Sequence, residues 1–306
     1  MRLGVVFPQY EIGSDPGAIR DYAQTAEGLG FSHLLAYDHV LGADGSDRPV
    51  PLGGPYTERH AFHEPLALFS YLSGLTERIG FATGVLVLPQ RQTALVAKQA
   101  AEVAILSAGR FRLGVGVGWN RIEYEALGAD LATRGRRLDD QVAVLRRLWT
   151  EPVVDLESPW HRIDRAGIAP RPSVPVPIWM GGFSEPAFER AARLGDGFLF
   201  SRRGGRRPGE GSTEPLAGVV EQVGRLRRRV ADLGRDPETF GIECRINYTS
   251  GPDTWRDELA QLAVAAVDLV AINPLDAGLG SAEAHIGALH RIAEECRTAG
   301  VGVGRS

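Results

Sequence analysis

The segment LGVVFPQYEIGSDPGAIRDYAQTAEGLG, residues 3–30, holds one complete strand–helix unit and sets the pattern for the rest of the chain. Residues 3–9 form a short apolar run that is typical of a buried strand. Asp15 is suited to cap a helix whose first residue is Pro16, and the helical pattern ends at Gly30. The segment therefore predicts a βα unit.

Seven more apolar runs, each followed by a helical pattern, predict seven further units. Their strands are predicted at residues 32–38, 79–88, 111–117, 178–181, 197–201, 240–248 and 268–273. Their helices are predicted at residues 64–75, 94–106, 123–127 with 136–149, 185–194, 216–233, 254–263 and 282–299. Eight units in 306 residues favour a closed (β/α)8 TIM barrel over an open sheet. We expect an α/β protein with a single barrel domain over residues 1–306, interrupted by a proline-rich inserted loop with a small hairpin at about 151–177.

Composition and charge exclude several classes of protein. Hydrophobic residues make up 43% of the chain and charged residues 24%, as in ordinary globular proteins. The formal net charge of −4 argues against a basic nucleic-acid-binding face. Cys244 and Cys296 are too far apart for a CxxC pair, and no apolar run is long enough for a signal peptide or a membrane span. We expect a cytoplasmic protein that binds neither nucleic acid nor membrane.

The barrel prediction directs attention to the residues that follow each strand, because active sites of this fold lie there. His39 follows Asp38 at the end of the second strand, where an imidazole that titrates near neutral pH can exchange a proton. A lone histidine is, however, more often a hydrogen-bonded structural residue. His60 and His63 form an HxxH pair without a third ligand cluster, so we expect no metal site.

The stretch from Gly181 to Ser184 joins a strand to a helix that has Pro186 in its first turn. Glycines let a ligand approach the backbone, and a helix N-terminus favours negative charge. The stretch therefore predicts a phosphate site formed by Gly181, Gly182, Phe183 and Ser184. A tight turn with a serine cap is the alternative.

Glycines alternate at positions 114, 116 and 118, a spacing that does not match the dinucleotide fingerprint GxGxxG. Alternating glycines on one face of a strand leave room for a flat ring system or for another backbone. Trp119 and Asn120 would border that space. Arg202 and Arg203 begin a basic loop after the sixth strand, which is either a solvated loop or a binding site for anions.

Four stretches together resemble the bacterial luciferase-like superfamily of flavin and deazaflavin oxidoreductases, and within it the class of coenzyme F420-dependent enzymes. They are AYDH at 36–39, TGVLVLP at 83–89, GRFRLGVGVGWN at 109–120, and PIWMGG at 177–182 with GDG at 195–197. The likeness covers nearly the whole chain and is specific for the superfamily, but less so for the cofactor.

The resemblance implies a barrel whose cofactor ring rests on a bulge with a non-prolyl cis peptide, here between Gly84 and Val85. Asp38, Thr83 and the turn of Gly118, Trp119 and Asn120 would contact the cofactor, and the 181–184 stretch would bind its phosphate. His39 would lie beside the reactive face and do acid/base or orienting work. Arg202 and Arg203 would meet the anionic polyglutamyl tail of F420.

The chain departs from the family's deazaflavin sugar-phosphate dehydrogenase, which has a glutamate where this chain has Trp119. Glu123 and Tyr124, one helical turn further on, are candidates to replace that proton donor. The alternative is that no residue replaces it and Trp119 simply walls the substrate pocket. Tyr56, Trp119, Tyr124 and Phe183 suggest an apolar pocket. The insertion after the seventh strand looks short.

The resemblance therefore implies an F420-dependent oxidoreductase that transfers a hydride between the coenzyme and a small organic substrate. Two alternatives stay open: an FMN-dependent luciferase-like monooxygenase, and a barrel that binds a phosphorylated ligand without redox chemistry. A homodimer is common in proteins of this kind, so we expect one here.

Overall fold

The computed structural model describes residues 1–48, 54–201 and 215–298. Its strands, in chain order, are β1 Arg2–Val6, β2 His33–Ala36, β3 Gly80–Thr83, β4 Leu86–Val87, β5 Phe111–Gly116, β6 Val154–Glu157, β7 Arg162–Ala166, β8 Ile178–Gly181, β9 Gly197–Phe200, β10 Gly241–Asn247 and β11 Leu269–Asn273. Its α-helices are α1 Pro16–Leu29, α2 Pro65–Ser73, α3 Thr93–Leu106, α4 Arg121–Ala126, α5 Arg134–Thr150, α6 Glu185–Leu194, α7 Leu216–Asp232, α8 Pro252–Val264 and α9 Ala282–Thr298.

The main sheet closes on itself. Parallel strands pair in the order β3, β2, β1, β11, β10, β9, β8 and β5, and β5 pairs back to β3. Helices surround this ring of strands, so the predicted (β/α)8 barrel is confirmed. α1 begins as the sequence predicts, because the Asp15 side chain accepts hydrogen bonds from the backbone N–H groups of Gly17 and Ala18, and Pro16 is the first helical residue.

The third barrel strand differs from the prediction of one run over residues 79–88. It is divided into β3 and β4, and the peptide bond between Gly84 and Val85 in the gap is cis. The cis bond that the family resemblance implied is thereby confirmed. β4 continues the pairing with β5, with Leu86 opposite Val115.

Glycines of β5 fit this interruption. A Cβ atom added to Gly114 would lie 1.9 Å from the carbonyl oxygen of Thr83, and one added to Gly116 would lie 2.5 Å from Cγ2 of Val85. The alternating glycines were expected to leave room for a flat ring system or for another backbone. The structure places the neighbouring segment around residues 83–85 against β5, because only glycine lets it come so close.

The inserted segment contains the expected hairpin, since β6 and β7 pair antiparallel outside the barrel. The insertion after the seventh barrel strand is short as expected, because α8 begins at Pro252, five residues after β10 ends at Asn247. None of the helices in the described ranges combines the length and the apolarity that crossing a bilayer requires.

The barrel interior holds a buried charged network that the sequence analysis did not anticipate. Glu243 accepts hydrogen bonds from His33 at 2.9 Å and from Arg112 at 2.7 Å. The Arg112 guanidinium also lies 4.4 Å from the ring centre of Trp179. Burial opposes ionisation of Glu243, but its two partners outweigh this and lower the pKa of Glu243 to about 2.

Candidate active site

A cavity of about 410 Å³ opens at the carboxyl ends of the barrel strands. That volume is typical of a site for a small molecule or cofactor. Most of the residues singled out in the sequence line it, namely Asp38, His39, Tyr56, Gly84, Val85, Gly118, Trp119, Asn120, Glu123, Gly181, Gly182, Phe183 and Ser184.

Two of the predicted site residues that the structure describes are not part of this lining. Thr83 is fully buried, and its hydroxyl donates to the carbonyl oxygen of Gly114 at 2.7 Å, so it ties β3 to β5 and does not line the cavity. The Tyr124 hydroxyl donates to the carbonyl oxygen of Val117 at 2.6 Å. Arg202, together with Arg203, lies outside the described residues.

His39 and Glu123 come together at the mouth of the cavity. The Nδ1 atom of His39 lies 3.4 Å from Oε2 of Glu123. The other oxygen of this carboxylate accepts hydrogen bonds from the backbone N–H groups of Val40 and Leu41. Burial opposes ionisation of Glu123, but these hydrogen bonds outweigh it and hold the pKa of Glu123 below its ordinary value. Glu123 is therefore an ionised acceptor, which does not suit the role of replacement proton donor.

Local structure explains why Glu123 points there. Asn120 caps α4, and its Oδ1 atom accepts from the backbone N–H of Ile122 at 3.1 Å and of Glu123 at 3.4 Å. This cap places Glu123 in the first turn of α4, where the helix N-terminus favours a carboxylate. The Asn120 side chain thus acts mainly on the helix, although it borders the cavity.

Asp38 holds the chain just beyond the cis peptide. Its carboxylate accepts from the backbone N–H of Val87 at 2.8 Å and forms a two-pronged pair with Arg91, at 2.5 Å and 3.2 Å. Arg91 also contacts Glu64, the cap of α2, at 3.0 Å. Asp38 therefore fixes β4 and the bulge, and it does not present a free carboxylate to a cofactor.

Val85 lines the cavity and is packed between glycines. A Cβ atom at Gly116 or at Gly181 would lie 2.5 Å or 2.6 Å from its γ-methyl groups, so the glycines of two strands surround this side chain. The glycines make room for the Val85 side chain, and Gly84 and Val85 both line the cavity.

The segment that leads into the N-terminus of α6 also lines the cavity. Ser184 occupies the capping position with extended backbone, but its side chain makes no capping hydrogen bond. Pro186 has no N–H group, and the N–H of Ala187 donates to the carbonyl oxygen of Ser184 at 2.9 Å. The first turn therefore leaves the backbone N–H of Glu185 and the Ser184 hydroxyl for a ligand at the cavity wall. A side chain at Gly182 would lie 2.7 Å from the Cβ atom of Ala187, so this position is restricted to glycine.

Two charged groups beside this wall have partners already. Arg190, one turn into α6, lines the cavity and is held by an ion pair with Asp139. Glu185 in the first turn is paired with Arg225 at 2.7 Å and Arg229 at 3.0 Å on α7. The two arginines balance the negative charge of Glu185. Glu185 therefore repels an anion at this helix N-terminus only weakly.

Aromatic rings surround His39. The ring centre of Tyr56 lies 5.1 Å from that of His39, and the ring centre of Trp119 lies 5.7 Å away. Phe62 packs on both His39 and Tyr56 at 4.9 Å, and Tyr10 extends the cluster behind them. The expected aromatic pocket is therefore present around His39, with Tyr56 and Trp119 in it.

Sequence reasoning missed several residues of the cavity, notably Tyr37, Arg190 and Arg245. A signal for Arg245 was present: Glu243 and Arg245 are charges at alternate positions of a predicted barrel strand, where one face points into the barrel. Metal binding has no support in the described ranges, where three or more His, Cys, Asp or Glu side chains nowhere converge.

The sequence resembles proteins of one known family. The sequence model of the luciferase-like monooxygenase family matches residues 1–270. The chain belongs to this family. An F420-dependent glucose-6-phosphate dehydrogenase of Intrasporangium calvum is 30% identical over 246 residues, which cover 78% of this chain and 67% of the relative.

Solved structures agree on the luciferase-like fold. Monooxygenase RslO1 from Streptomyces bottropensis superposes with a TM-score of 0.77 at 19% identity, covering 97% of this chain and 99% of the other. An F420-dependent secondary alcohol dehydrogenase in complex with an F420-acetone adduct superposes with a TM-score of 0.72 at 14% identity, covering 96% of this chain and 98% of the other. At such identities these structures show the fold alone. A riboflavin lyase solved with modified FMN also superposes, with a TM-score of 0.74 at 16% identity.

Proposed function

We propose that the protein is an F420-dependent oxidoreductase that transfers a hydride between the deazaflavin coenzyme and a small organic substrate. One observation carries the proposal: the Gly84–Val85 bulge, the N-terminus of α6 and His39 all open into a single cavity. The similarity to an F420-dependent dehydrogenase over most of the chain supports the choice of coenzyme.

The residues present fit such a coenzyme. Gly84 and Val85 line the cavity and offer a shelf for a flat ring, and the Ser184 hydroxyl with the backbone N–H of Glu185 at the start of α6 suits its phosphate. Gly182 keeps that backbone open because a side chain there would meet Ala187. The bound coenzyme supplies hydride chemistry, and the protein supplies binding, orientation and exclusion of water.

His39 is the group placed to move a proton. The ionised Glu123 carboxylate only accepts hydrogen bonds, so it favours the His39 form with a proton on Nδ1 and leaves Nε2 for exchange with substrate. Glu123 also binds the backbone after His39 through Val40 and Leu41. We therefore assign His39 a catalytic role and Glu123 a positioning role.

An FMN-dependent monooxygenase is the second candidate. It is favoured by the family model that matches residues 1–270, which is that of the luciferase-like monooxygenases. Both candidates use the same phosphate site and the same shelf for the ring, so the cavity alone does not separate them.

The reaction with oxygen separates the two candidates. Protein loaded with reduced F420 is mixed with a panel of ketones, aldehydes and conjugated carbonyl compounds, once in air and once under argon. We expect equal rates in both gases and one molecule of reduced product per coenzyme oxidised. Turnover that consumes oxygen, or that occurs only with reduced FMN, would overturn the proposal.

A further inference from the structure

Arg245 has an unusual position at the floor of the cavity. It lies near the end of β10, is partly buried, and lines the cavity beside Tyr37. Its Nη1 atom donates to the Tyr37 hydroxyl at 2.5 Å, and its guanidinium lies 5.2 Å from the centre of the Tyr37 ring. Burial raises the pKa of Tyr37 despite this cation, so the contact joins a charged group to a neutral one.

Other partly buried arginines of the chain are compensated. Arg91 pairs with Asp38, and Arg112 pairs with Glu243. Arg110 instead donates to several backbone carbonyl groups. Within the described ranges, Arg245 has neither an ion pair nor a carbonyl partner and donates only to a phenol.

Two carboxylates lie within electrostatic range of this floor, because Asp276 and Glu243 both raise the pKa of Tyr37. Each has its own partner. Glu243 is bound by His33 and Arg112, and Asp276 accepts from the Tyr10 hydroxyl at 2.9 Å. The guanidinium of Arg245 is therefore a half-buried cation whose remaining N–H groups are available to an anion.

The surroundings define the rest of the ligand. Tyr56 lies close enough for the charge of Arg245 to act on its pKa, which burial keeps raised. Tyr56, Trp119 and His39 form aromatic walls on the same cavity. Such walls suit a flat apolar body, whereas a planar fork of N–H groups suits a carboxylate.

We propose that Arg245 binds the carboxylate of an aromatic acid whose ring lies between Tyr56 and Trp119, so that aromatic carboxylates are the substrate class. The inference rests on the proposed function, because it places this substrate beside the bound coenzyme. Arg245 would select the substrate and would take no part in the transfer itself.

Benzoate and its neutral isostere benzamide test this selection. Their binding to F420-loaded protein is measured by titration calorimetry for the native chain and for Arg245→Gln, Arg245→Lys and, as an exposed control, Arg20→Gln. We expect the native chain and the control to prefer benzoate by at least about tenfold. Arg245→Gln should remove this preference and leave benzamide binding unchanged, while Arg245→Lys should keep part of it.

Three results would overturn the inference: no saturable benzoate binding by the native chain, equal binding of benzoate and benzamide, or an undiminished preference in Arg245→Gln. Loss of F420 affinity in Arg245→Gln with the benzoate preference retained would assign the guanidinium to the coenzyme instead. The benzoate titration is repeated without coenzyme to separate the two proposals. Failure to bind F420 would refute the proposed function, whereas the benzoate preference of the coenzyme-free protein would still test the role of Arg245.

Discussion

Nδ1 of His39 and Oε2 of Glu123 lie 3.4 Å apart, although 84 residues separate them in the sequence. The carboxylate is almost completely buried and ionised, and it also binds the backbone that follows His39. The pair thus joins the loop after β2 to the first turn of α4 across the mouth of the barrel, and it fixes the imidazole beside the cavity.

Replacing His39 with asparagine should lower kcat by about 100- to 10,000-fold, the usual contribution of a positioned acid or base. The affinity for F420 should change by less than about threefold, because the phosphate site and the shelf are untouched. Steady-state kinetics and coenzyme titration measure both. His60→Asn is the matched control, since His60 belongs to the same aromatic cluster but does not line the cavity. Equal losses in the two variants would contradict a catalytic role.

Glu123→Gln tests the positioning role. A glutamine keeps hydrogen-bonding capacity but loses the charge that favours a proton on Nδ1 of His39, so kcat should fall about tenfold or more while KM changes little. Glu125→Gln serves as control, because Glu125 lies on the same helix and is exposed. A kcat that stays at the native value, or one that falls only together with the melting temperature, would argue for a purely structural carboxylate.

Acid should destabilise the fold through the network inside the barrel. Glu243 has a pKa depressed from 4.5 to about 2, so its contribution is complete above pH 4.5 and is lost as the pH falls towards 2. The pKa of His33 is also lowered from 6.5, chiefly by burial, so acidification below that value further favours the unfolded state. Together these shifts predict stability that declines from about pH 6.5 downwards, with Glu243 contributing up to about 3 kcal/mol.

Urea unfolding at a series of pH values measures this decline. Glu243→Gln should be less stable than the native chain at neutral pH, because Arg112 loses its partner, and its stability should vary less between about pH 5 and 3. Parallel pH curves for the two proteins would show that Glu243 does not carry the acid sensitivity.

A glycine substitution tests the packing beneath the cofactor shelf. Gly116→Ala places a methyl group where Val85 already lies, so it should cost about 1–3 kcal/mol and weaken coenzyme binding. Adding Val85→Ala removes the γ-methyl groups and should restore part of both losses. The double mutant should therefore lose less stability and less coenzyme affinity than the two single mutants together. Gly28→Ala in α1 is the control, because a Cβ atom there meets nothing within 4 Å. Purely additive losses would mean that Gly116 and Val85 do not interact as described.

The sequence was sufficient for the fold because its signals are local. Asp15 and Pro16 start α1, and residues 185–194 were predicted as a helix with the bounds that α6 has. The predicted strand over residues 79–88 had no local sign of its division. Only the resemblance at Gly84 and Val85 anticipated the cis bond there.

The site was harder to predict, because its contacts join distant segments. His39 could be proposed from its place after a strand, but its pairing with Glu123 depends on how the loop after β2 lies against α4. Thr83 was expected to contact the cofactor. A threonine hydroxyl at a strand end can equally well donate to the neighbouring strand, as this one does to the carbonyl oxygen of Gly114. Arg245 was missed because Glu243 and Arg245 at alternate positions of one strand do not reveal which carboxylate, if any, pairs with the arginine.

Equilibrium titration with F420 and with FMN, followed by quenching of protein fluorescence at matched ionic strength, tests the central claim most directly. The native chain should bind F420 at least about tenfold more tightly than FMN, and Ser184→Ala should weaken F420 binding about three- to tenfold through loss of a hydrogen bond to its phosphate. Preference for FMN would contradict the account and favour a flavin monooxygenase, and binding of neither would remove the redox function altogether.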